Sequence, residues 1–345
     1  MKKSKNRKKR KHRGFWLFIK FQIALILLVV AGVAYYYVGG YAQAIQELRA
    51  DAIEKVYSSG EDAFRDNETS IVYDVNGEVI STLVGEKDMY YLDYEDIPSY
   101  VFSAFISTED RRYYKHGGVD LEAIVRAAWA AVRNGEITQG GSTITQQLAR
   151  NVFLSNDRTW ERKVEEIFIS MELEKIYSKD KILEFYVNNA YFANGNYGIE
   201  AASLGYFNCS VTELSLSQIA FLCAIPNSPS RYDPITNFEN TLERRDRVLS
   251  AMLSEGYISQ TDYDKAVAEE IVLDIPETVK NDYLETYTYY CAIRALMAED
   301  GFEFQTTFET EEEEVAYEES YEEAYAEYQQ KLYTEGYRID RKSVV

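Results

Sequence analysis

Residues 15–38 constrain this chain more than any other stretch: they are overwhelmingly apolar, with only Lys20 and Gln22 interrupting the run near its start. That length spans a bilayer as a single helix. Lys20 can snorkel toward headgroups, and Tyr35, Tyr36 and Tyr37 suit the far interface, where amphipathic rings are favoured. The first thirteen residues of the chain hold nine Lys and Arg and no acid. By the positive-inside bias they predict a cytoplasmic tail over 1–14, a transmembrane helix over 15–38, and everything after about residue 39 outside the cytoplasm. A cleaved signal peptide competes, because Ala42-Gln43-Ala44 has the small-x-small pattern, but the apolar run is long for one.

The expected localisation is therefore the cell membrane, single-pass, with an extracytoplasmic body. That body is acidic, since the whole chain of 345 residues carries a net charge of −20 despite its basic tail. Nucleic acid is not an expected partner for that body, because phosphate neutralisation needs clustered cations that a strongly acidic domain does not supply. The three Cys, at 209, 223 and 291, form no CxxC pair, so neither a disulfide framework nor a zinc site is indicated. Of the two His, one lies in the tail and leaves His116 alone, which rules out triads and multi-His metal sites.

Residues 39–69 read as a polar, helix-prone stalk with Ala42, Ile45, Leu48, Ile53 and Val56 near helical spacing. The segment SIVYDVNGEVIST then predicts a small β-hairpin about Asn76-Gly77, a pair suited to a type I′ turn. From about Ile97 to Glu270 the periodicity is helical, clearest over Val119–Val132 and Lys163–Ile176, with Gly-rich breaks near 140 and 195. The fold class expected is mainly α. Beyond Ile275 the chain is acidic and Tyr-rich, and the run Glu309–Glu323 buries little surface by itself, as a linker or part of another module would.

Four polar clusters interrupt these helices. In STEDRRYYKHGG, Glu109 follows the apolar VFSAFI and predicts a carboxylate at a helix end beside a cleft, where partial desolvation would raise its pKa and suit it to accept a proton. Alone, it reads more readily as a surface ion pair with Arg111 or Arg112. In DRTWERKVEE and the helix after it, Glu161, Glu165 and Glu172 form a solvated stripe, whereas Glu166 aligns with Ile169 and Leu173 and lies one turn from Arg162. Glu166 is the inward carboxylate, as a functional group or as an i,i+4 salt bridge. GGSTITQQLARN offers Ser142, Thr143, Gln146, Gln147 and Arg150 to oxyanions and sugar hydroxyls. A Ser/Thr helix cap would account for Ser142 and Thr143 but not for the amide pair. His116 and the Gly195, Tyr197, Gly198 loop read as structural, the imidazole orienting the Glu109 loop.

Taken in order and spacing, EDRRYYKHGG, GGSTITQQLARN, RKVEE and ILEFYVNNAYFANGNYGIEAAS, followed by AIPNSPSRYDP and ERRDRVLSAM, resemble the glycosyltransferase domain of class A penicillin-binding proteins and monofunctional peptidoglycan glycosyltransferases. The resemblance covers about residues 70–275 and implies a lysozyme-like, two-lobed α domain. It implies that Glu109 is the base and that Glu166 assists near the donor diphosphate, with a divalent cation (Mg²⁺ or Mn²⁺) as an expected addition and Glu166 its candidate ligand. Ser142, Gln146, Arg150 and Arg158 match positions lining the sugar and diphosphate sites, and Thr143, Gln147, Arg162 and Lys163 join that set. Arg150 stands where Lys is more usual, Ala193 where Gly is common, and Tyr113 where Phe is frequent.

The reaction implied is polymerisation of lipid II into β-1,4 glycan with inversion. Its partners would be lipid II, the growing strand, the membrane, and other cell-wall synthesis and division proteins. The alternatives are a muramidase or lytic transglycosylase on a similar fold, which leaves Arg150, Arg158 and the amide pair unexplained, and a non-catalytic membrane-tethered scaffold. Residues 276–345 resemble the start of a connector to a transpeptidase domain, and no Lys-Thr-Gly motif follows, so transpeptidase activity is not expected.

Overall fold

The computed structural model describes residues 39–66, 68–74, 76–83, 87–134, 141–155, 157, 159–276 and 283–340, with scattered positions (18, 20–22 and 37) before them. The expected tail and most of the expected membrane span lie outside these. Among the described residues no helix is long and apolar enough to cross a membrane.

The described chain is mainly helical. Helix α1 (Tyr41–Ser59) buries Ala52 and Val56 and packs along α5 (Trp160–Ile176), with Lys55 paired to Glu165. The stalk is thus seated on the body. At its centre, α2 (Ser99–Glu109) is buried through Val101, Phe102, Ala104, Phe105 and Ile106. Helices α8 (Leu216–Cys223) and α9 (Phe238–Ser254) pack on one side of it and α6 (Lys179–Asn189) on another. Helix α4 (Ile144–Phe153) lies between α5 and α6. The remaining helices of this body are α3 (Leu121–Asn134), α7 (Ile199–Phe207) and α10 (Gln260–Ala268). Buried apolar residues from Ala52 to Ile271 form one continuous cluster.

Helix starts are marked by hydroxyls: Thr159, Ser178, Ser215 and Ser259 each accept a hydrogen bond from the backbone three residues on. Gly118 lies at φ 89°, and a Cβ there would come within 2.6 Å of the Ser170 carbonyl oxygen. That glycine lets the loop after α2 press against α5. Ala193 takes φ 65°, a conformation that costs a residue with a Cβ about 1 kcal/mol and that glycine adopts freely.

Strands β1 (Ser70–Tyr73) and β2 (Val79–Leu83) pair antiparallel. The connection differs from a type I′ turn, because Gly77 alone among its described residues has positive φ. The Asp74 carboxylate organises it instead, accepting from the backbone N–H groups of Asn76 and Glu78. Strands β3 (Asp88–Met89) and β4 (Asn196–Tyr197) form a short parallel pair. At the far end of the chain, β5 (Arg338–Asp340) joins β1 in parallel, giving the order β2-β1-β5.

The C-terminal segment is more than a linker. Helices α11 (Tyr283–Glu299) and α12 (Glu311–Thr334) pack together and share a second core with the hairpin, built from Val72, Leu83, Tyr289, Ile293, Met297, Leu332 and Ile339. The glutamates of α12 stay exposed, while its tyrosines and Leu332 turn inward.

Candidate active site

Glu109 is the last residue of α2, and its side chain is 13% exposed. Gln147 Nε2 donates to its Oε2 at 3.0 Å, and Asn227 Nδ2 donates to its Oε1 at 3.0 Å. Arg244 lies 3.5 Å from Oε1. The arginines beside Glu109 in sequence turn elsewhere. Arg111 donates to the Ser107 carbonyl and faces Glu255 at 3.3 Å, and Arg112 pairs with Asp120 and Glu122. The salt-bridge alternative for Glu109 is therefore not formed with either neighbour, and its cation comes from α9.

The loop after Glu109 is tied down by Asp110, whose carboxylate bonds His116 Nε2 at 2.9 Å and accepts from the Ile144 N–H at 3.1 Å. Asp110 thus connects the end of α2 to the start of α4, with His116 held on the same carboxylate. Thr143 and Gln146 are spent on that same start. Thr143 Oγ1 accepts from the Gln146 N–H, and Gln146 Oε1 accepts from the Thr143 N–H at 3.0 Å, a reciprocal capping box. Thr143 also donates to the Gly118 carbonyl at 2.6 Å. Both side chains are buried. Both are engaged in the cap here, because unpaired donors at a helix start take the nearest oxygen. The cap accounts for one member of the amide pair, and Gln147 alone reaches Glu109.

A second cluster forms where Ser142 precedes α4. Glu166 is 1% exposed; Arg162 Nη1 bonds its Oε2 at 2.7 Å and Lys163 Nζ bonds its Oε1. Lys163 also donates to Ser142 Oγ at 2.9 Å. Arg162 Nε is buried without a partner among the described residues. The glutamate stripe is not uniformly solvated: Glu161 is exposed, Glu165 meets Lys55, and Glu172 is buried beside Lys175. With both oxygens bonded to cations, Glu166 does not fit as a metal ligand in this arrangement. No group of three candidate metal ligands occurs among the described residues.

Arg150 is half-buried on α4 and makes no ion pair among the described residues. It lies near Tyr186, whose phenol is pushed well above its ordinary pKa by burial and then by the Glu109 charge, with Arg150 opposing. Arg158 is outside the described residues. Helix α4 thus joins the two clusters, with Ser142 before its first turn reaching Lys163 and Gln147 in its second reaching Glu109.

Three residues not singled out in the sequence complete the arrangement: Tyr186, Asn227 and Arg244. Asn227 and Arg244 lie within AIPNSPSRYDP and ERRDRVLSAM. An available signal was the pair Arg244-Arg245 on one helix, which must face two ways. Arg245 is buried on Ser217 and the Glu269 carbonyl, and Arg244 faces the carboxylate.

Comparison with known proteins identifies relatives of this chain. Penicillin-binding protein 1A of Aquifex aeolicus is 44% identical over 223 residues, 65% of this chain and 30% of that protein. Penicillin-binding protein 1A/1B of Bacillus subtilis is 37% identical over 322 residues, 89% of this chain and 34% of that protein. The chain thus spans about a third of the length of these relatives. The crystal structure of penicillin-binding protein 1A from Haemophilus influenzae superposes loosely, with TM-score 0.36 and 24% identity over 68% of this chain and 25% of that one. The transglycosylase family profile matches residues 76–253, more than half of the chain, and encloses Glu109, Gln147, Glu166, Asn227 and Arg244. On that match the chain belongs to the transglycosylase family, a family of glycosyltransferase enzymes.

Proposed function

We infer that this protein polymerises lipid II into β-1,4 glycan strands, with Glu109 as general base. The observation that carries the reading is the Glu109 carboxylate at the end of a buried helix, held by donors on both oxygens and joined through α4 to a cationic cluster.

An alcohol acceptor is a weak nucleophile and needs a base, whereas a diphosphate leaves readily once its charge is met. In the proposed reaction the acceptor 4-oxygen forms a bond to the donor's anomeric carbon as the bond to the diphosphate oxygen breaks. Glu109 takes the hydroxyl proton, and displacement from the opposite face inverts the α-linked donor. Lys163, Arg162 and Arg150, with Arg158, are the cations assigned to the polyprenyl diphosphate. Glu166 fixes the first two. Because its oxygens are committed, no step is routed through a divalent cation.

Both substrates carry polyprenyl chains, so the cleft belongs at a bilayer. Supporting this, Leu121, Val125 and Trp129 share one face of α3 at 71%, 68% and 70% exposure. The apolar run 15–38 would hold the body there.

The test gives the purified membrane-anchored protein labelled lipid II and compares wild type with Glu109→Gln. Glycan polymer from wild type and none from the variant is the expected result. No polymer from wild type, or full activity in the variant, overturns the reading. Cleavage of preformed glycan would favour the muramidase alternative.

A further inference from the structure

Tyr186 is 1% exposed on α6, its ring edge-on to Phe105 with centroids 5.1 Å apart. Its hydroxyl lies 3.2 Å from Gln147 Oε1, on the far side of the amide from Glu109. A primary amide has two orientations of nearly equal shape and opposite polarity, so its neighbours decide which end faces which way. A buried phenol that keeps its proton offers a hydrogen to the amide oxygen. Once that oxygen is taken, the amide NH₂ faces Glu109. Flipped, Gln147 would set a carbonyl oxygen against a carboxylate, and the base would turn away.

We propose that Tyr186 is a positioning residue for Glu109, acting through the Gln147 amide: it fixes Gln147 as a donor to Oε2, opposite Asn227 and Arg244 at Oε1. The sequence of contacts runs Tyr186, Gln147, Glu109, and joins α6, α4 and α2 at the reacting carboxylate. Gln147 thereby serves the base rather than the sugar. This inference rests on the glycosyl-transfer reading.

The test measures kcat and KM for lipid II with the full membrane-anchored chain, alongside the melting temperature of each variant. Tyr186→Phe removes only the hydroxyl and is expected to lower kcat about tenfold, the scale of one hydrogen bond lost at a transition state, with KM within about twofold. Phe105→Leu loosens the ring's packing without touching the amide. It is expected to lower the melting temperature and leave kcat within about twofold of wild type, as a packing loss remote from the reacting atoms does. Should Tyr186→Phe fold poorly, Gln147→Leu breaks the relay from its other end and is expected to give the same loss in kcat at unchanged KM. Unchanged kcat in Tyr186→Phe, an equal loss in Phe105→Leu, or a raised KM as the main effect of Gln147→Leu overturns the proposal. An inactive wild type would instead count against the polymerase reading itself.

Discussion

Asn227 and Glu109 are 118 residues apart in the chain and 3.0 Å apart in the fold, amide nitrogen to carboxylate oxygen. Asn227 ends the short turn Ile225–Asn227 after α8, so the Glu109 carboxylate is held from an element that the local sequence around Glu109 does not contain. Asn227→Ala leaves Oε1 facing only Arg244. Turnover of saturating lipid II is expected to fall about five- to tenfold, the cost of one charge-assisted bond. Asn227→Asp sets a second carboxylate against the first and is expected to be slower than the alanine variant. Initial rates decide this, and an aspartate variant faster than alanine would contradict the arrangement.

Glu166 is buried with Arg162 on one oxygen and Lys163 on the other. Arg162→Met leaves that carboxylate short of a partner and is expected to cost about 3 kcal/mol in denaturant unfolding, as breaking a buried pair does. Replacing the buried charge as well, in Arg162→Met with Glu166→Leu, is expected to return most of the stability but none of the activity. Simple addition of the two losses would show that the residues are not coupled.

Asp120 precedes α3 and accepts from the N–H groups of Glu122 and Ala123 while pairing with Arg112. Burial opposes its charge, but the Ala123 and Glu122 donors and Arg112 outweigh it, and its pKa is lowered. A depressed carboxylate stabilises the fold above its ordinary pKa, and that contribution is lost as pH falls through the lowered value. Asp120→Asn is therefore expected to melt below wild type at pH 7, with the gap closing below about pH 4, the ordinary range for Asp. Melting curves from neutral to acid pH check it, and a gap that widens in acid would be contrary.

Trp129 sits on the exposed apolar face of α3, and the chain has only two other Trp, Trp16 and Trp160. With those two changed to Phe, Trp129 reports alone. In proteoliposomes carrying brominated acyl chains its fluorescence is expected to be quenched, because a ring at the headgroup boundary lies within reach of the label. Emission unaffected by bromination would remove α3 from the membrane surface.

The helices over Val119–Val132 and Lys163–Ile176 were legible because apolar spacing is a local signal, and the structure moves their starts only to Leu121 and Trp160. The inward turn of Glu166 was legible for the same reason. Gln146 and Gln147 were not separable, since adjacent amides look alike until one is seen closing a capping box and the other reaching Glu109. Tyr186, Asn227 and Arg244 act across long sequence separations, and of the three only Arg244, paired with Arg245 on one helix, carries a local mark. The second core was hidden too, because the acidic stretch of α12 reads as unable to bury surface, and its apolar partners lie more than two hundred residues earlier, in β1 and β2.

Ser70 joins those distant ends. Its hydroxyl is buried, donates to the Leu332 carbonyl and accepts from the Tyr337 N–H at 2.8 Å. Ser70→Ala leaves both backbone groups unpaired where β5 meets β1, and is expected to cost about 2 kcal/mol. The loss should be local, because the hairpin, α11 and α12 share a core separate from the one around Glu109. Hydrogen exchange is expected to quicken over 70–73 and 332–340, while amides in α2 and α4 keep their protection and lipid II turnover is unchanged. Equal loss of protection in α2 would mean that the C-terminal layer and the helices around Glu109 open as one unit.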